Sequence, residues 1–321
     1  MSDALFQVKE TAALSCIVDS GRRGMQAQGI SASGPMDWFA YTINNRLLEH
    51  TEPAAQVEIT AGQFRAVFAR PLRIAITGGK AHCELNQQPI EQWKAVHVEK
   101  GDVLQLVIQP NAARLYLGVS FSIDSGTRYN SRCTVARENA GGLANDGKAL
   151  NYNDTVYGAP TDVQYQREVD ESRLSDLIRR VYQHGPIRVL PGEQVEVFSR
   201  LAWRRLLSES YTLTAQSNRM GLRLRGNPVQ KMQFKMRSEP LSFGSMQVPP
   251  DGQPIIMMSD RQTLGGYPKL AKVAHVDLPR LAQTSIDQQI SFSGADAVTA
   301  RNDWRMLDLS IQRIFYTDSS S

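Results

Sequence analysis

The sequence predicts a mainly-β protein of two domains with a few short helices. Many short segments rich in β-branched residues follow one another at close spacing, separated by turn residues, as in β-barrels and β-sandwiches. One amphipathic stretch, residues 170–183, predicts a helix that connects two such series. The second series begins at Ile187, just after a Gly-Pro pair that stops the helix. We therefore place the domains at residues 1–185 and 186–315.

Composition and charge argue against several classes of protein. The 321 residues, 41% of them hydrophobic, are enough for two ordinary cores. The 36 basic and 32 acidic residues are spread along the chain without a block of like charge, which argues against nucleic-acid binding. We see no secretory leader and no apolar run of about 18 residues, so we expect a cytoplasmic protein without a membrane segment.

The sequence also lacks the patterns typical of metal sites. Cys16, Cys83 and Cys133 are odd in number and widely spaced, so they indicate neither a disulfide framework nor a CxxC metal site. His82 and His97 lie in or beside predicted strands, with no acidic or cysteine ligands spaced around them. We therefore expect reduced cysteines, structural histidines and no bound metal.

The first domain opens with predicted strands at residues 6–8 and 15–18. They lead into a turn at residues 19–24 that carries Arg22 and Arg23 between glycines. Two interpretations of these cations stay open. One is a solvated turn. The other is a contact with an anion or a partner, because guanidinium groups bind carboxylates and phosphates in a forked geometry.

A helix is predicted over residues 36–49. Pro35 suits a helix start, and Asp37 lies where a carboxylate favours the helix dipole. Phe39, Ile43 and Leu47 recur four residues apart and define one apolar face. Beyond this helix we predict strands at residues 66–68, 73–76, 95–98, 103–108 and 114–119. One long polar, glycine-bearing loop is predicted to follow them at residues 128–154.

The second domain is predicted to contain a short helix and further strands. Ser199 is placed to cap a helix that runs to about Leu207, with Trp203 and Leu207 on its inner face. A strand at residues 211–215 leads to the polar hexapeptide Gln216-Ser217-Asn218-Arg219-Met220-Gly221 and then to alternating apolar and basic residues at 222–225. A late strand is predicted over 286–292.

The most informative stretch is residues 251–273. After a Pro-Pro-Asp-Gly turn, the apolar run 255–258 predicts a buried strand, and five hydrogen-bonding side chains follow it directly. Gly265-Gly266 allows close approach of the backbone and leaves amide N–H groups available, and Tyr267-Pro268-Lys269 restores rigidity and adds a cation. The alternatives are a ligand site or an ordinary hairpin with a solvated loop.

These segments resemble the allophanate-hydrolase-subunit-2 family, also called the biotin-dependent carboxyltransferase family, which includes the C subunit of bacterial 5-oxoprolinase. The resemblance covers nearly the whole chain. Family members usually carry aspartate at the position of Asn218, so this chain lacks a carboxylate there. The blocks that resemble the family, in family order, are residues 18–24, 33–37, 45–47, 58–60, 77–79, 131–132, 216–221 and 251–273.

The resemblance implies two cyclophilin-like β-barrel domains in a protein that works with a homologous B subunit and a separate A subunit. The implied activity is ATP-dependent opening of 5-oxo-L-proline to L-glutamate, with ATP and Mg²⁺ acting at the level of the complex. Two alternatives stay open. One is the carboxyltransferase part of a urea-carboxylase-like system, and the other is a regulatory protein that antagonises a histidine-kinase inhibitor without catalysis.

Several chemistries are not indicated by this sequence. It contains no Gly-x-Ser-x-Gly nucleophile elbow and no Walker P-loop. A biotin carrier needs a lysine in an Ala-Met-Lys-Met type of turn. The segment Phe234-Lys235-Met236 matches only the last two residues of that pattern. We therefore predict that Lys235 is a surface lysine and that this chain carries no biotin.

Candidate catalytic and binding residues come from the polar blocks. We hypothesise that Arg219 and Lys269 balance the charge of an anionic substrate or phosphoryl group, and that Asp260 is the general base, with Asp251 second. Amide and backbone N–H groups would orient a lactam and polarise its carbonyl. The residues predicted to bind substrate are Gln216, Asp251, Gln262, Thr263, Gly265, Gly266, Tyr267, Arg22 and Arg132.

Overall fold

The computed structural model of the protein describes residues 2–161, 169–230 and 236–315. These residues fall into two compact units, and the chain is mainly β, which confirms the predicted fold class. Lys235 lies outside the described residues. The structural division falls at residue 170, ahead of the helix predicted as a connector, and the domain boundary near 185 stays a prediction. The first unit holds residues 2–23, 33–161, 169–170 and 315, and the second holds 24–32, 171–230 and 236–314.

Two antiparallel sheets form the first unit. Its described strands, β1 to β12 in chain order, are Asp3–Glu10, Leu14–Val18, Gln56–Thr60, Gln63–Phe68, Leu72–Gly78, Ala81–Leu85, Gln88–Pro89, Ala95–Val98, Val103–Ile108, Arg114–Val119, Phe121–Asp124 and Thr155–Pro160. Seven of them pair in the order β11-β12-β1-β4-β9-β6-β7, and five in the order β2-β3-β10-β5-β8.

One apolar core lies between these two sheets. In β4, Phe64, Ala66 and Phe68 are buried and the residues between them are more exposed, as the two-residue period of a strand requires. Leu106 of β9 and Leu117 of β10 belong to the same apolar cluster although they come from different sheets. The first unit is therefore held together mainly by burial of side chains from both sheets.

Helix α1, Trp38–Leu47, lies where the sequence predicts it. The Asp37 carboxylate caps it by accepting a hydrogen bond of 3.0 Å from the Ala40 amide. Phe39, Ile43 and Leu47 are all buried, which confirms the predicted apolar face. The cap and the apolar face together fix where the helix begins and which side it packs.

A buried amide fixes α1 to the five-stranded sheet. Asn44 donates hydrogen bonds to the carbonyl oxygens of Ala75 in β5 (2.9 Å) and Tyr116 in β10 (3.0 Å). This close approach depends on Gly118, because a Cβ atom there would lie 1.9 Å from Asn44 Oδ1. The glycine therefore leaves the space that the buried asparagine occupies.

The second unit contains a closed barrel. Its described strands, β13 to β21, are Ile187–Pro191, Ser210–Leu213, Gly221–Arg225, Glu239–Pro240, Ser245–Gln247, Ile255–Met257, Leu264–Gly265, Lys269–Val273 and Gln289–Gly294. The barrel follows the order β13-β20-β17-β18-β15-β14-β21, and β16 pairs separately with β19. The barrel closes through the parallel pair β13 and β21. Closure removes the open edges that a flat sheet would expose.

The helices of this part of the chain agree only partly with the sequence prediction. Ser199 caps its helix as predicted, but Ala202 and Leu206 are the buried residues, one position before Trp203 and Leu207. The 19-residue helix Ala297–Phe315 was not predicted. None of the described helices has the length and apolar character needed to cross a bilayer. The helices α2 to α5 are Glu171–Val181, Arg200–Ser208, Leu278–Ala282 and Ala297–Phe315.

We expect Gly118→Ala to lower the free energy of unfolding by about 1–3 kcal/mol, because the added methyl group displaces Asn44 from its two carbonyl partners. The matched control is Gly294→Ala in β21, where a Cβ atom meets only Leu207 Cδ1, at an ordinary 3.5 Å. Urea denaturation measures both variants. Equal effects of the two substitutions would contradict the role given to Gly118.

Candidate functional site

The two polar turns singled out in the sequence meet at one end of the barrel. Strands β15 and β18 are antiparallel, with Gly221 opposite Met257, so the residues before β15 and after β18 lie side by side. The Asp260 amide donates to the Arg219 carbonyl at 2.9 Å. The structure therefore brings together the two blocks that were predicted to share a site.

A buried ion pair joins these turns. Arg219 Nε donates to Asp260 Oδ2 at 2.9 Å and Arg219 Nη2 donates to Oδ1 at 3.1 Å, which is a bidentate arrangement. Arg219 is 6% exposed and Asp260 is 8% exposed. Each charge is neutralised by the other, so the predicted roles of anion binding and general base belong to a coupled pair. Those roles stay predictions.

A second guanidinium lies beside the pair, and the sequence interpretation gave it no role. Arg261 is buried, and its Nε and Nη1 donate to the carbonyl oxygens of Leu241 (3.0 Å) and Met258 (3.2 Å). Burial lowers the pKa of the Arg261 guanidinium to about 10, and the Asp260 carboxylate opposes part of that shift. Arg261 therefore stays cationic at neutral pH, and together Arg219, Asp260 and Arg261 carry one net positive charge.

Lys269 is also neutralised by carboxylates. Its ammonium group lies 3.2 Å from Glu239 Oε2 and 3.7 Å from Glu193 Oε2, and the lysine is only 3% exposed. Gln194 supports this cluster, because it accepts from the Lys269 amide and donates to Glu239 Oε2. Glu239 comes from a segment that the sequence interpretation did not connect with this site.

The segment 239–241 links the two clusters. Glu239 contacts the Lys269 ammonium, and the Leu241 carbonyl accepts from Arg261. Residues 239–240 form β16, which pairs with β19, so the polar residues after β18 are connected to Lys269 through this short sheet. The predicted residues Arg219, Asp260 and Lys269 therefore belong to one hydrogen-bonded region of the second unit.

Gly265 and Gly266 differ in the reason why a glycine suits each position. A Cβ atom on Gly265 would lie 2.6 Å from Gln247 Nε2, and this amide donates to the Tyr267 carbonyl at 2.9 Å. Gly265 therefore allows close packing of protein against protein. Gly266 is exposed, and a Cβ atom there would meet only Ser238 Oγ, at 3.7 Å. Gln262 and Thr263 are half-buried, and Tyr267 is exposed.

The structure places two predicted binding residues elsewhere on the barrel. Gln216 and Asp251 are exposed and line a cavity of about 380 Å³ beside β14, β15 and β18. Neither Arg219 nor Asp260 lines this cavity. The residues predicted as one site are thus divided between the barrel end and this separate cavity.

The predicted binding residues of the first unit belong to a buried polar cluster. The Asp19 carboxylate accepts from Ser131 Oγ at 2.7 Å and from the Arg132 amide at 2.6 Å. Arg22 is 1% exposed, and its Nη2 donates to the Cys133 carbonyl at 2.6 Å. The solvated-turn interpretation therefore does not apply to Arg22, whose side chain ties its own turn to the long loop.

Cys133 is buried in the same cluster. Burial raises the pKa of its thiol to about 12, and the Asp19 carboxylate, whose Oδ1 lies 3.0 Å from the sulfur, adds to that shift. The thiol therefore stays protonated at neutral pH and is a poor nucleophile. The cluster fits a structural role in holding the loop at 128–133, and ligand binding by Arg22 and Arg132 stays a prediction.

Metal-binding geometry is not found in the part of the chain that the structure describes. No group of three or more His, Cys, Asp or Glu side chains among those residues is arranged to hold an ion. His82 and His97 are both exposed on their strands, and His97 Nε2 lies 2.9 Å from Glu99 Oε1. The contact between His97 and Glu99 lies on the exposed surface.

The family of the chain is clear. It belongs to the family described as carboxyltransferase domain, subdomain A and B, which it matches over residues 28–294. This assignment is consistent with the barrel and with the order of the polar blocks on the chain.

Two relatives and one solved structure show the range of proteins that are similar to this chain. It is 30% identical to the 5-oxoprolinase C subunit of Haemophilus influenzae over 97% of both chains. It is 28% identical to the urea amidolyase of Lachancea kluyveri over 96% of this chain and 18% of that protein. The crystal structure of the K. lactis urea amidolyase shares the fold, with a TM-score of 0.86 at 24% identity over 99% of this chain and 20% of that one.

We expect single substitutions of the buried ion pair to be costly and the double substitution to recover part of the loss. Arg219→Met or Asp260→Leu leaves one buried charge without its partner, so each lowers the free energy of unfolding by about 3–5 kcal/mol. The double variant removes both charges. Its loss of unfolding free energy should therefore be smaller than the sum of the losses in the two single variants. A double-mutant cycle by urea denaturation measures this coupling.

The matched control is the exposed pair Arg179 and Asp176 on α2, whose side chains are 76% and 64% exposed. The same substitutions there, Arg179→Met and Asp176→Leu, are expected to couple by less than about 0.5 kcal/mol. A buried pair that couples no more strongly than this surface pair would refute the structural importance of Arg219 and Asp260.

Proposed function

We propose that this protein acts as the C subunit of an ATP-dependent 5-oxoprolinase complex, which opens 5-oxo-L-proline to L-glutamate. The observation that carries the proposal is the 30% identity to a relative named as the C subunit of 5-oxoprolinase, over 97% of both chains. On this proposal the protein functions with partner A and B subunits, because the name of that relative is the name of one component of a complex.

The barrel end supports the proposal by its charge. Arg219, Asp260 and Arg261 together leave one positive charge in a largely buried region, and such a surplus attracts a carboxylate or phosphoryl group more strongly than it would in water. 5-Oxoproline carries a carboxylate. The cluster therefore fits an anionic lactam better than a neutral one.

The residues around this cluster give the remaining roles. Gln262, Thr263 and the exposed backbone at Gly266 lie next to it along the chain and offer hydrogen bonds to a lactam N–H and C=O. Asp260 is the candidate general base, and the bonds from Arg219 to both of its oxygens hold the carboxylate in place. Lys269, held by Glu239, positions the neighbouring segment. On this proposal ATP phosphorylates the lactam oxygen and leaves as ADP. One water then adds to the phosphorylated carbon as the C–N bond breaks and the nitrogen takes up a proton, which gives an acyl phosphate, and a second water releases phosphate and L-glutamate.

A second candidate function is carboxyl transfer from biotin to an amide nitrogen. It is favoured by the 28% identity to a urea amidolyase over 96% of this chain. The same positive cluster would hold the transferred carboxyl group, and the biotin would come from another protein segment. The two candidates differ in substrate and in their need for biotin, so one assay separates them.

The test is a reconstitution in which each component is omitted in turn. This chain is mixed with its candidate A and B subunits, and ATP hydrolysis and glutamate release are measured with and without 5-oxoproline. We expect turnover that depends on 5-oxoproline and is lost when this chain is left out, because on this proposal the lactam-binding groups reside here.

Three other outcomes contradict the proposal. A stable complex with no turnover on 5-oxoproline, but with carboxylation of an amide once a biotin carrier is supplied, supports the carboxyltransferase alternative. Full turnover in the absence of this chain shows that it is not part of the catalytic assembly. A stable complex that is inactive on both substrates favours the regulatory alternative.

A further inference from the structure

The cavity beside β14, β15 and β18 has the features of a second ligand site. It measures about 380 Å³, enough for a small metabolite. Its walls come from the turn after β14, from β15, and from the segment that leads into β18. The lining residues are Thr214, Ala215, Gln216, Arg223, Leu224, Arg225, Asp251, Gln253, Pro254 and Ile255. The cavity is formed entirely within the second unit.

Two arginines of one strand, Arg223 and Arg225, line this cavity. Arg223 and Arg225 alternate with buried leucines along β15, so both point outward and start roughly 7 Å apart. Both are exposed, and neither makes an ion pair with another residue that the structure describes. Unpaired guanidinium groups at this spacing are suited to bind two carboxylates, one each.

A carboxylate and neutral polar groups complete the lining. Asp251 is exposed and lines the cavity, and its Oδ1 accepts from the Gln253 amide at 3.0 Å. Thr214 Oγ1 is buried and has no hydrogen-bond partner in the described part of the chain. The Gln216 amide is exposed at the same cavity. The lining therefore contributes two cations, one anion and the exposed Gln216 amide.

We propose that this cavity binds an acidic α-amino acid, with Arg223 and Arg225 holding its two carboxylates and Asp251 its ammonium group. The site's charges of +2 and −1 complement the −2 and +1 of glutamate or aspartate at neutral pH. A simple dicarboxylate leaves Asp251 without a partner, and a neutral amino acid leaves one guanidinium without one. A nucleoside triphosphate carries no ammonium group, so it also leaves Asp251 without a partner.

This inference is independent of the proposed function. The cavity excludes Arg219 and Asp260, so binding here does not require the barrel-end site to be catalytic. If the proposed function holds, L-glutamate is the product, and the cavity becomes a place where the product binds apart from the reacting groups. The test uses this chain alone, without its candidate partners and without ATP, so its failure is distinguishable from failure of the oxoprolinase assay.

The experiment is isothermal titration of the full chain with L-glutamate at low ionic strength. We expect saturable one-site binding with a dissociation constant below about 1 mM, in the usual range for a metabolite. Glutarate and L-glutamine each lack one charged group of glutamate, so each should bind about tenfold or more weakly. Added salt should weaken all three interactions.

Variants assign the binding to this cavity. Arg223→Gln and Arg225→Gln should each weaken L-glutamate binding by about tenfold to a hundredfold, and Asp251→Asn should weaken L-glutamate but not glutarate. The matched control is Arg301→Gln, at an exposed arginine on α5 outside the cavity, which should bind normally. All four positions are exposed, so the variants are expected to fold, and circular dichroism checks this.

Three results would overturn the proposal. These are no saturation up to about 10 mM L-glutamate, binding that is equally strong in Arg225→Gln and Arg301→Gln, or ATP binding at this cavity in preference to glutamate. The role of Asp251 would be refuted by two observations together: glutarate binds as tightly as L-glutamate, and Asp251→Asn weakens the binding of glutarate.

Discussion

The second unit depends on the buried pair of Arg219 and Asp260. A buried charge is tolerated only when its partner is present, so neither polar turn can leave the other without a large loss of stability. This constraint fixes the ends of β15 and β18 against each other. It also explains why the polar turn before β15 and the polar turn after β18 form one hydrogen-bonded cluster, although Arg219 and Asp260 are 41 residues apart in the sequence.

The same principle recurs around this pair and, separately, in the first unit. Lys269 is held by Glu239 and Glu193. Arg261 donates its N–H groups to backbone carbonyls instead of a carboxylate, so the trio Arg219, Asp260 and Arg261 keeps one net positive charge. In the first unit, Asp19 accepts several hydrogen bonds and fixes the long loop. Buried polar groups thus help to set the conformation of the polar turns and of the long loop.

The sequence predicts most of the strands and the position of α1, because local alternation and helical spacing report directly on which face is buried. It could also have revealed α5, since Leu307, Ile311 and Ile314 recur at helical spacing and are buried. The partners of the charged residues were not predictable. Glu239 reaches Lys269 across 30 residues, and nothing in its neighbourhood signals that contact. Likewise, Gln216 and Arg219 are near neighbours in sequence, yet Gln216 lines the separate cavity.

The central claim is that the reacting groups lie at the barrel end around Asp260. The most direct test is the kcat of Asp260→Asn in the reconstituted complex, with assembly and folding verified in the same samples. Because asparagine keeps the shape of the side chain but cannot accept a proton, we predict a fall of about 10²–10⁴-fold in kcat. Turnover within about twofold of the unaltered protein would contradict the account, because general-base catalysis cannot survive this change undiminished.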